Sequence, residues 1–345
     1  GEDAVRSGLA LFDDLTGDTY EGNHTERNAL VPTQGGRVKP TARYPASAAA
    51  GLASDERDAL LVGFERLVGF DAPLSAARLN AAGVPFEARG ATVEFPVELS
   101  ADPKVTRFAA LLDRDEAGEG SQDGSVRRAL AERVATHLDG EQRVGFPAVL
   151  GDDHPDAVRA DLESELGVDV FEVPMGPPSL PGLRLEDRLY DALDDEGVRI
   201  GNPVVGYEAG SDGDRIAAVT VHRNGATVPY AAEQFVLATG GLVGKGIDSD
   251  REGVEEPIFD CHVAHPPDRY DWFDDDAFGD HRFARFGVDP DRELRPRDAR
   301  GAVEFDNLRA AGAVLGNYDF AAEKSGSGVS LATGTRAGRL AGDDT

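Results

Sequence analysis

The 345-residue chain has one cysteine, Cys261, one methionine, Met175, and one tryptophan, Trp272. A lone thiol excludes a disulfide framework, a CxxC redox pair and an iron–sulfur cluster carried on this chain alone. Electrons bound for a distant acceptor would therefore need another subunit. Long apolar runs are absent as well, since no stretch approaches the ~20 residues of a membrane span. Positive charge is scarce: 35 basic residues face 64 acidic ones, for a net charge of -29, and the lysines are only Lys39, Lys104, Lys245 and Lys324. Nucleic acid or an anionic lipid surface would meet no basic patch here. Such acidity is the signature of a halophilic protein, because self-repulsion is screened where the Debye length falls to ~3 Å in molar salt. It describes a solvent rather than an activity. The chain begins at Gly1 and its only methionine lies mid-chain, which reads as a fragment without its N-terminal βαβ unit, or as a mature chain trimmed of a targeting peptide.

Common catalytic loops are missing too. There is no GxSxG elbow and no GxxxxGK[ST] phosphate loop. The acidic run DWFDDDAFGD (Asp271 to Asp280) lacks the closing glutamate of a calcium loop, so a solvated surface is the better account. His262 and His265 lie beside Asp260 and Cys261 in DCHVAHPPDR, but no second ligand cluster with metal spacing accompanies them, and no metal site is expected.

Strands alternate with helices from Asp58 onward. ALLVGFE reads as a strand, SAARLNAAG as a helix started near Asp71 or Ser75, and FEARGATVEFP as a strand. Helices follow at Val105 to Leu112 and Ser125 to Leu138, then the strand VGFPAVLG, the helix DAVRADLESELG and the strand VDVFEVP. This succession predicts a parallel or mixed sheet of βαβ units. The segment ALVPTQGGRVKPTARYP reads as a hairpin-like crossing between domains. Further on, LPGLRLEDRLYDALDDEG has the leucine spacing of an amphipathic helix stopped at Gly197, and a β meander follows, turning at Asn224-Gly225.

Two glycine-rich segments carry the chemistry. FVLATGG (Phe235 to Gly241) ends a strand in a turn where backbone can approach a ligand without a Cβ in the way. The segment from Asn307 to Gly342 predicts a strand (Leu308 to Leu315), a glycine-rich loop and a helix whose first N–H groups (Gly326 to Val329) face a pyrophosphate or the edge of an isoalloxazine. Helix, meander, ATGG, a long excursion and a Gly-Ser-Gly helix start form the order in which a flavin domain of the glutathione-reductase-like (Rossmann-type) class closes. The opening strand and GxGxxG helix of that class have no counterpart here. The expected fold is therefore α/β, a flavin-binding domain without its N-terminal βαβ unit and with an inserted α/β substrate or cap domain. Residues 1–55 are assigned to the flavin domain and a crossover segment, 56–177 to the insert, and 178–345 to the C-terminal part of the flavin domain. Candidate cofactor residues are Thr239, Gly240, Gly241, Gly312, Gly316, Asp319, Gly326, Ser327, Gly328 and Val329, with FMN or FAD as the cofactor.

Beyond that pattern, the C-terminal half resembles the B subunits of the anaerobic glycerol-3-phosphate dehydrogenases. PSLPGLRLEDRL (Pro178 to Leu189), FVLATGG, REGVEEPIFD (Arg251 to Asp260), FGVDPDRELRP (Phe286 to Pro296) and NLRAAGAVLGNYDFAAEKSGSGVSLATG (Asn307 to Gly334) carry the resemblance. It implies a complex that oxidises sn-glycerol 3-phosphate to dihydroxyacetone phosphate for glycerol catabolism or anaerobic respiration, with quinone as acceptor. In that complex this flavoprotein works between two partners. One is the catalytic flavoprotein, the A subunit. The other is the iron–sulfur C subunit, which holds the whole at the inner face of the cell membrane. Candidates on the excursion are His262 or His265 as base, and Arg295 or Arg297 as a phosphate clamp, for which the planar guanidinium fork is suited. The alternatives are a free-standing FAD oxidoreductase of the fumarate-reductase or ketosteroid-dehydrogenase type, and a non-catalytic scaffold with a flavin fold.

Overall fold

The computed structural model describes residues 1–22, 27–115, 124–201 and 203–343. Among them are eight α-helices: α1 (Glu2–Thr16), α2 (Ala72–Ala82), α3 (Val105–Arg114), α4 (Val126–Ala135), α5 (Pro155–Leu166), α6 (Leu180–Asp195), α7 (Phe320–Glu323) and α8 (Gly326–Asp343). The chain divides into two compact units, one of Leu15–Val198 and one of Gly1–Asp14 with Arg199–Thr345.

An uncharged, apolar run such as ALLVGF is stable as a strand only where both faces are covered, the situation of a parallel strand between helices. Ala59–Phe64 is buried at every position. It lies between Ala88–Val93 and Arg143–Pro147, with Asp169–Val173 beyond the latter, and the three pairings are parallel. α2 connects the first pair, α3 and α4 the next strand, and α5 the last, so the expected βαβ succession is present. Asp71 caps α2 by accepting from the Leu74 amide at 2.9 Å, and Gly83, at φ 77°, ends it in the left-handed conformation that lacks a Cβ penalty. Phe64, Phe95, Phe108 and Phe146 meet at the centre of this unit's core with ring centroids 5.1–6.3 Å apart.

The largest fully buried side chain of this unit is charged. Arg143 is 0% exposed and lies over the Phe86 ring at 4.3 Å. Its guanidinium donates to the carbonyls of Arg57 (2.8 Å), Ala50 (3.0 Å), Leu52 (3.1 Å) and Asp55 (3.1 Å). One cation thus satisfies the carbonyls of a loop that has no ladder of its own.

The sequence boundaries at 55/56 and 177/178 differ from the contact boundaries at 14/15 and 198/199. Two interactions span the expected boundaries. Arg184 of α6 makes a double contact with Glu172 of the sheet, at 2.7 and 3.0 Å, and the Ser75 hydroxyl donates to the Gln34 carbonyl. They fasten α6 to the parallel sheet and the loop of the hairpin Ala29–Pro32/Val38–Thr41 to α2, and the hairpin lies wholly within one unit.

The other unit contains the meander Val204–Ala209, Ile216–Arg223 and Ala226–Ala231, antiparallel throughout. Its Asn224-Gly225 turn has φ 49° and 79°, both positive as a two-residue hairpin of this type requires. A second sheet pairs Phe235–Leu237 with Leu308–Ala310 in parallel, and α8 packs on it. Buried Asn307 ties the two sheets together: its amide accepts from the Ile216 N–H at 2.9 Å and donates to the Ile216 and Glu233 carbonyls at 2.9 and 3.1 Å.

Candidate cofactor site

Parallel strands end with their loops on one side, where ligands of open α/β sheets bind. Here the two strands that end together are Phe235–Leu237 and Leu308–Ala310, and the Ala311 amide donates to the Leu237 carbonyl at 2.9 Å. Past Leu237 the chain turns through Thr239, Gly240 and Gly241. Close approach explains the glycines: a Cβ on Gly241 would stand 2.7 Å from the Ala313 carbonyl oxygen, and one on Gly246 would overlap Thr239 and Gly240. Ala238 and Thr239 are exposed, so this turn offers backbone to the outside.

The second strand is shorter than expected. It stops at Ala310, and Gly312–Val314 forms a 3-10 turn, because Gly312 takes φ 76°, which no strand residue can hold. The Gly312 amide donates to the Thr333 hydroxyl at 2.9 Å, and that hydroxyl donates to the Val329 carbonyl at 2.6 Å. Thr333 therefore bolts the strand-end turn to the first turns of α8. Tyr318 adds a longer bond from its hydroxyl to the Gly312 carbonyl at 3.4 Å.

At the start of α8, the Val329 amide donates to the Ser325 carbonyl at 2.9 Å. Of the expected group, only Gly326, Ser327 and Gly328 leave their N–H groups without an acceptor among the described residues. A Cβ placed on Gly328 would meet nothing within 4 Å. Three free amides at the positive end of an 18-residue helix, beside open space, suit the oxygens of a phosphate or the electron-rich edge of a flavin. Observed donors and clearance thus fit such a group.

The remaining candidates have other engagements. Gly316 backs onto Gly287, where a Cβ would come within 2.7 Å of the Gly287 carbonyl oxygen. Asp319 caps α7, accepting from Ala321 and Ala322 at 3.0 and 2.9 Å. His262 donates its backbone N–H to Glu304 at 2.9 Å. The His265 ring nitrogen Nδ1 lies 2.8 Å from the Val263 carbonyl, with the ring edge-on to Trp272 at 5.8 Å. Arg295 is held by Asp291 at 2.8 Å and Glu293 at 3.0 Å, and Arg297 by Asp289 at 2.7 Å. Burial pushes Asp291 up, yet the bonds from Arg295 outweigh it and hold its carboxyl below the usual range.

Glu256 is 1% exposed and accepts from the amides of Ile258, Phe259 and Cys261 at 2.9, 2.8 and 3.4 Å. Burial still pushes its carboxyl up. The neighbouring Cys261 thiol is driven far above its ordinary value by burial and by Glu304 and Glu256, so it is packing rather than a nucleophile. Among the described residues, no three or more His, Cys, Asp or Glu side chains are grouped to hold a metal ion, and no helix is long and apolar enough to cross a membrane.

Thr333 and Tyr318 escaped sequence reading. The only signal for Thr333 is its spacing four residues past Val329, which puts its hydroxyl over the preceding turn of the helix.

The FAD binding domain family model matches residues 2–329. A Halobacterium salinarum protein, named as a probable B subunit of anaerobic glycerol-3-phosphate dehydrogenase, is 62% identical over 99% of this chain and 80% of its own length. The corresponding B subunit of Pectobacterium atrosepticum is 30% identical over 90% of this chain and 72% of its own. That of Yersinia enterocolitica is 35% identical over 59% of this chain and 47% of its own. No solved structure matches the chain. Of the two cofactors the sequence left open, the family match selects FAD. This chain belongs to the FAD binding domain family and to the B subunits of the anaerobic glycerol-3-phosphate dehydrogenases.

Proposed function

We propose that the chain holds FAD at the turns after Leu237 and Ala310 and serves in a complex that oxidises sn-glycerol 3-phosphate to dihydroxyacetone phosphate, with the electrons passing to quinone. The observation that carries this reading is the trio of free amides at Gly326, Ser327 and Gly328 beside the ends of two parallel strands, in a chain spanned by an FAD family model. Bound FAD supplies a centre that takes an electron pair and releases single electrons. The chain's own part is to anchor and orient: α8 presents its amides and dipole to anionic oxygens, Thr333 fixes the Gly312 turn against that helix, and the Thr239–Gly241 turn brings backbone close.

Arg295 would have to exchange Asp291 and Glu293 for a substrate phosphate, and Arg297 would have to leave Asp289. Those engagements favour a division of labour in which a partner flavoprotein, the A subunit, takes the substrate. His262 and His265 remain the candidate bases if the substrate reaches this chain. The single cysteine leaves no ligand set for an iron–sulfur cluster. A partner that carries such clusters, the C subunit, therefore completes the path and places the complex at the cytoplasmic side of the membrane. The unit built on the four-stranded parallel sheet is proposed as the cap or substrate domain.

The test is the full-length protein purified in molar KCl. Acid-released flavin should be stoichiometric FAD, and reduction of a soluble quinone by glycerol 3-phosphate should be slow for the chain alone and rapid once its partners are added. Rapid turnover unchanged by partners would establish a free-standing oxidoreductase instead. A stable complex assembled without flavin would establish a scaffold.

A further inference from the structure

The excursion between the two proposed cofactor turns carries a cluster of exposed aromatic side chains. Phe278 is 98% exposed, Tyr270 72%, Phe273 44% and Phe283 41%. An isolated exposed aromatic is ordinary, but four within fourteen residues of one loop mark a contact surface. Their exposure is built into the backbone. Asp268 accepts from the Tyr270 amide at 2.9 Å, Asp274 from the Asp276 amide at 2.9 Å, and Asp276 from the Phe278 amide at 3.0 Å. The His281 ring accepts from the Asp274 amide at 3.1 Å, and the Phe283 amide donates to the Trp272 carbonyl at 2.8 Å.

The loop's inner side is anchored. Trp272 donates its indole N–H to the Pro266 carbonyl at 2.7 Å and stands edge-on to Phe286 at 5.7 Å. The next residue, Gly287, backs directly onto Gly316, and the Gly316 amide donates to the Val288 carbonyl at 2.9 Å. The display is therefore packed onto the same turn that leads into α7 and α8. A partner bound to it would stand next to the proposed cofactor.

Charge selects the kind of partner. Exposed Asp268, Asp271, Asp274, Asp275, Asp276 and Asp280 alternate with the aromatic residues along the segment and outnumber its exposed Arg269, Arg282 and Arg285, which leaves it net acidic. A second copy of this chain would bring like-charged segments together, whereas a surface with arginine or lysine around an apolar hollow would pair them. In molar salt those charges act only at contact, so they set the register while the aromatic side chains supply the affinity.

We propose that residues 266–286 form the docking face for the electron-accepting subunit of the dehydrogenase, a protein that presents an apolar hollow with a basic rim. This rests on the reading that electrons leave the chain through a partner. The other subunits, each purified separately, should be immobilised and titrated in molar KCl with the FAD-loaded chain. The probes are wild type, Phe278→Asp, the double variant Tyr270→Asp/Phe278→Asp, and the milder Phe278→Ser. Val68→Asp, at a site 79% exposed in the other unit, controls for general loss of apolar surface.

The double variant should bind the electron-accepting partner about tenfold or more weakly, with Phe278→Ser intermediate, Val68→Asp unchanged, and FAD content and melting temperature at wild-type values. Affinities within twofold of wild type would overturn the assignment. So would a wild-type dimer that the same variants dissociate, since the occupant would then be a second copy. FAD content reports on the cofactor reading independently of binding, so the two ideas fail separately.

Discussion

Substituting Gly328→Val tests the cofactor site where folding and binding can be told apart. A Cβ at this position meets no protein atom within 4 Å, and the residue lies in the first turn of α8 with no positive φ to maintain. In a helix, glycine costs about 1 kcal/mol relative to alanine and valine about 0.6 kcal/mol. The variant should therefore fold as well as wild type, within about 0.5 kcal/mol. Two methyl groups would instead occupy the space in front of the free amides. The full-length protein, stripped of flavin in molar KCl, should be melted with and without added FAD. At a hundredfold excess over Kd, ligand binding stabilises the native state by about 2.7 kcal/mol. That raises the melting temperature of a domain of this size by roughly 5–10 °C, at 2–4 °C per kcal/mol. Wild type should show this shift and Gly328→Val should not, while both have the same flavin-free melting temperature. A variant that keeps the shift and full flavin content would refute the placement of FAD against α8.

Three further outcomes follow from the same structure. With a net charge of -29, the melting temperature should fall steadily as KCl is lowered from molar to millimolar; a flat or rising curve would contradict the halophilic reading. Replacing Arg143→Met removes the donor to four loop carbonyls and should cost roughly 3 kcal/mol or more by leaving buried acceptors unpaired; a loss under about 1 kcal/mol in denaturant titrations would show that the loop finds other donors. Asp55 is held down to about 2, chiefly by the Arg57 side chain. A lowered carboxyl stabilises the fold above its unfolded value near 3.8 and loses that contribution as pH falls towards 2. Screened for its partial exposure, the effect should be at most about 1 kcal/mol in the molar salt that keeps the chain folded. Asp55→Asn should flatten the acid limb of the stability curve between pH 4 and 2, and an unchanged limb would assign it to other carboxylates.

Periodicity and punctuation in the sequence were enough to place the parallel sheet, because local rules govern both. Uncharged runs such as ALLVGF need cover on both faces, and Asp71, Gly83 and Gly197 start or stop helices through their own backbone chemistry. Asn224-Gly225 announced its hairpin for the same reason. The glycine turns were legible too, since close backbone approach demands a missing Cβ wherever it occurs.

Most of what the sequence did not disclose is the choice of partner for a polar group, in several cases between residues far apart along the chain. The grip of Arg184 on Glu172, within the unit Leu15–Val198, is one such pairing, and the burial of Arg143 among four carbonyls of a distant loop is another. Neither has a local signature, because a guanidinium looks the same in sequence whether it meets water or a core. The free amides were expected as Gly326 to Val329 and reduce to three because the Ser325 carbonyl closes the first helical bond. Arg295, a clamp candidate in a chain where most arginines were expected to meet carboxylates, is held by its sequence neighbours Asp291 and Glu293. Backbone conformation is local and is written in residue type, whereas the partner of a charge or a hydroxyl is chosen when the tertiary fold sets which groups share a buried space.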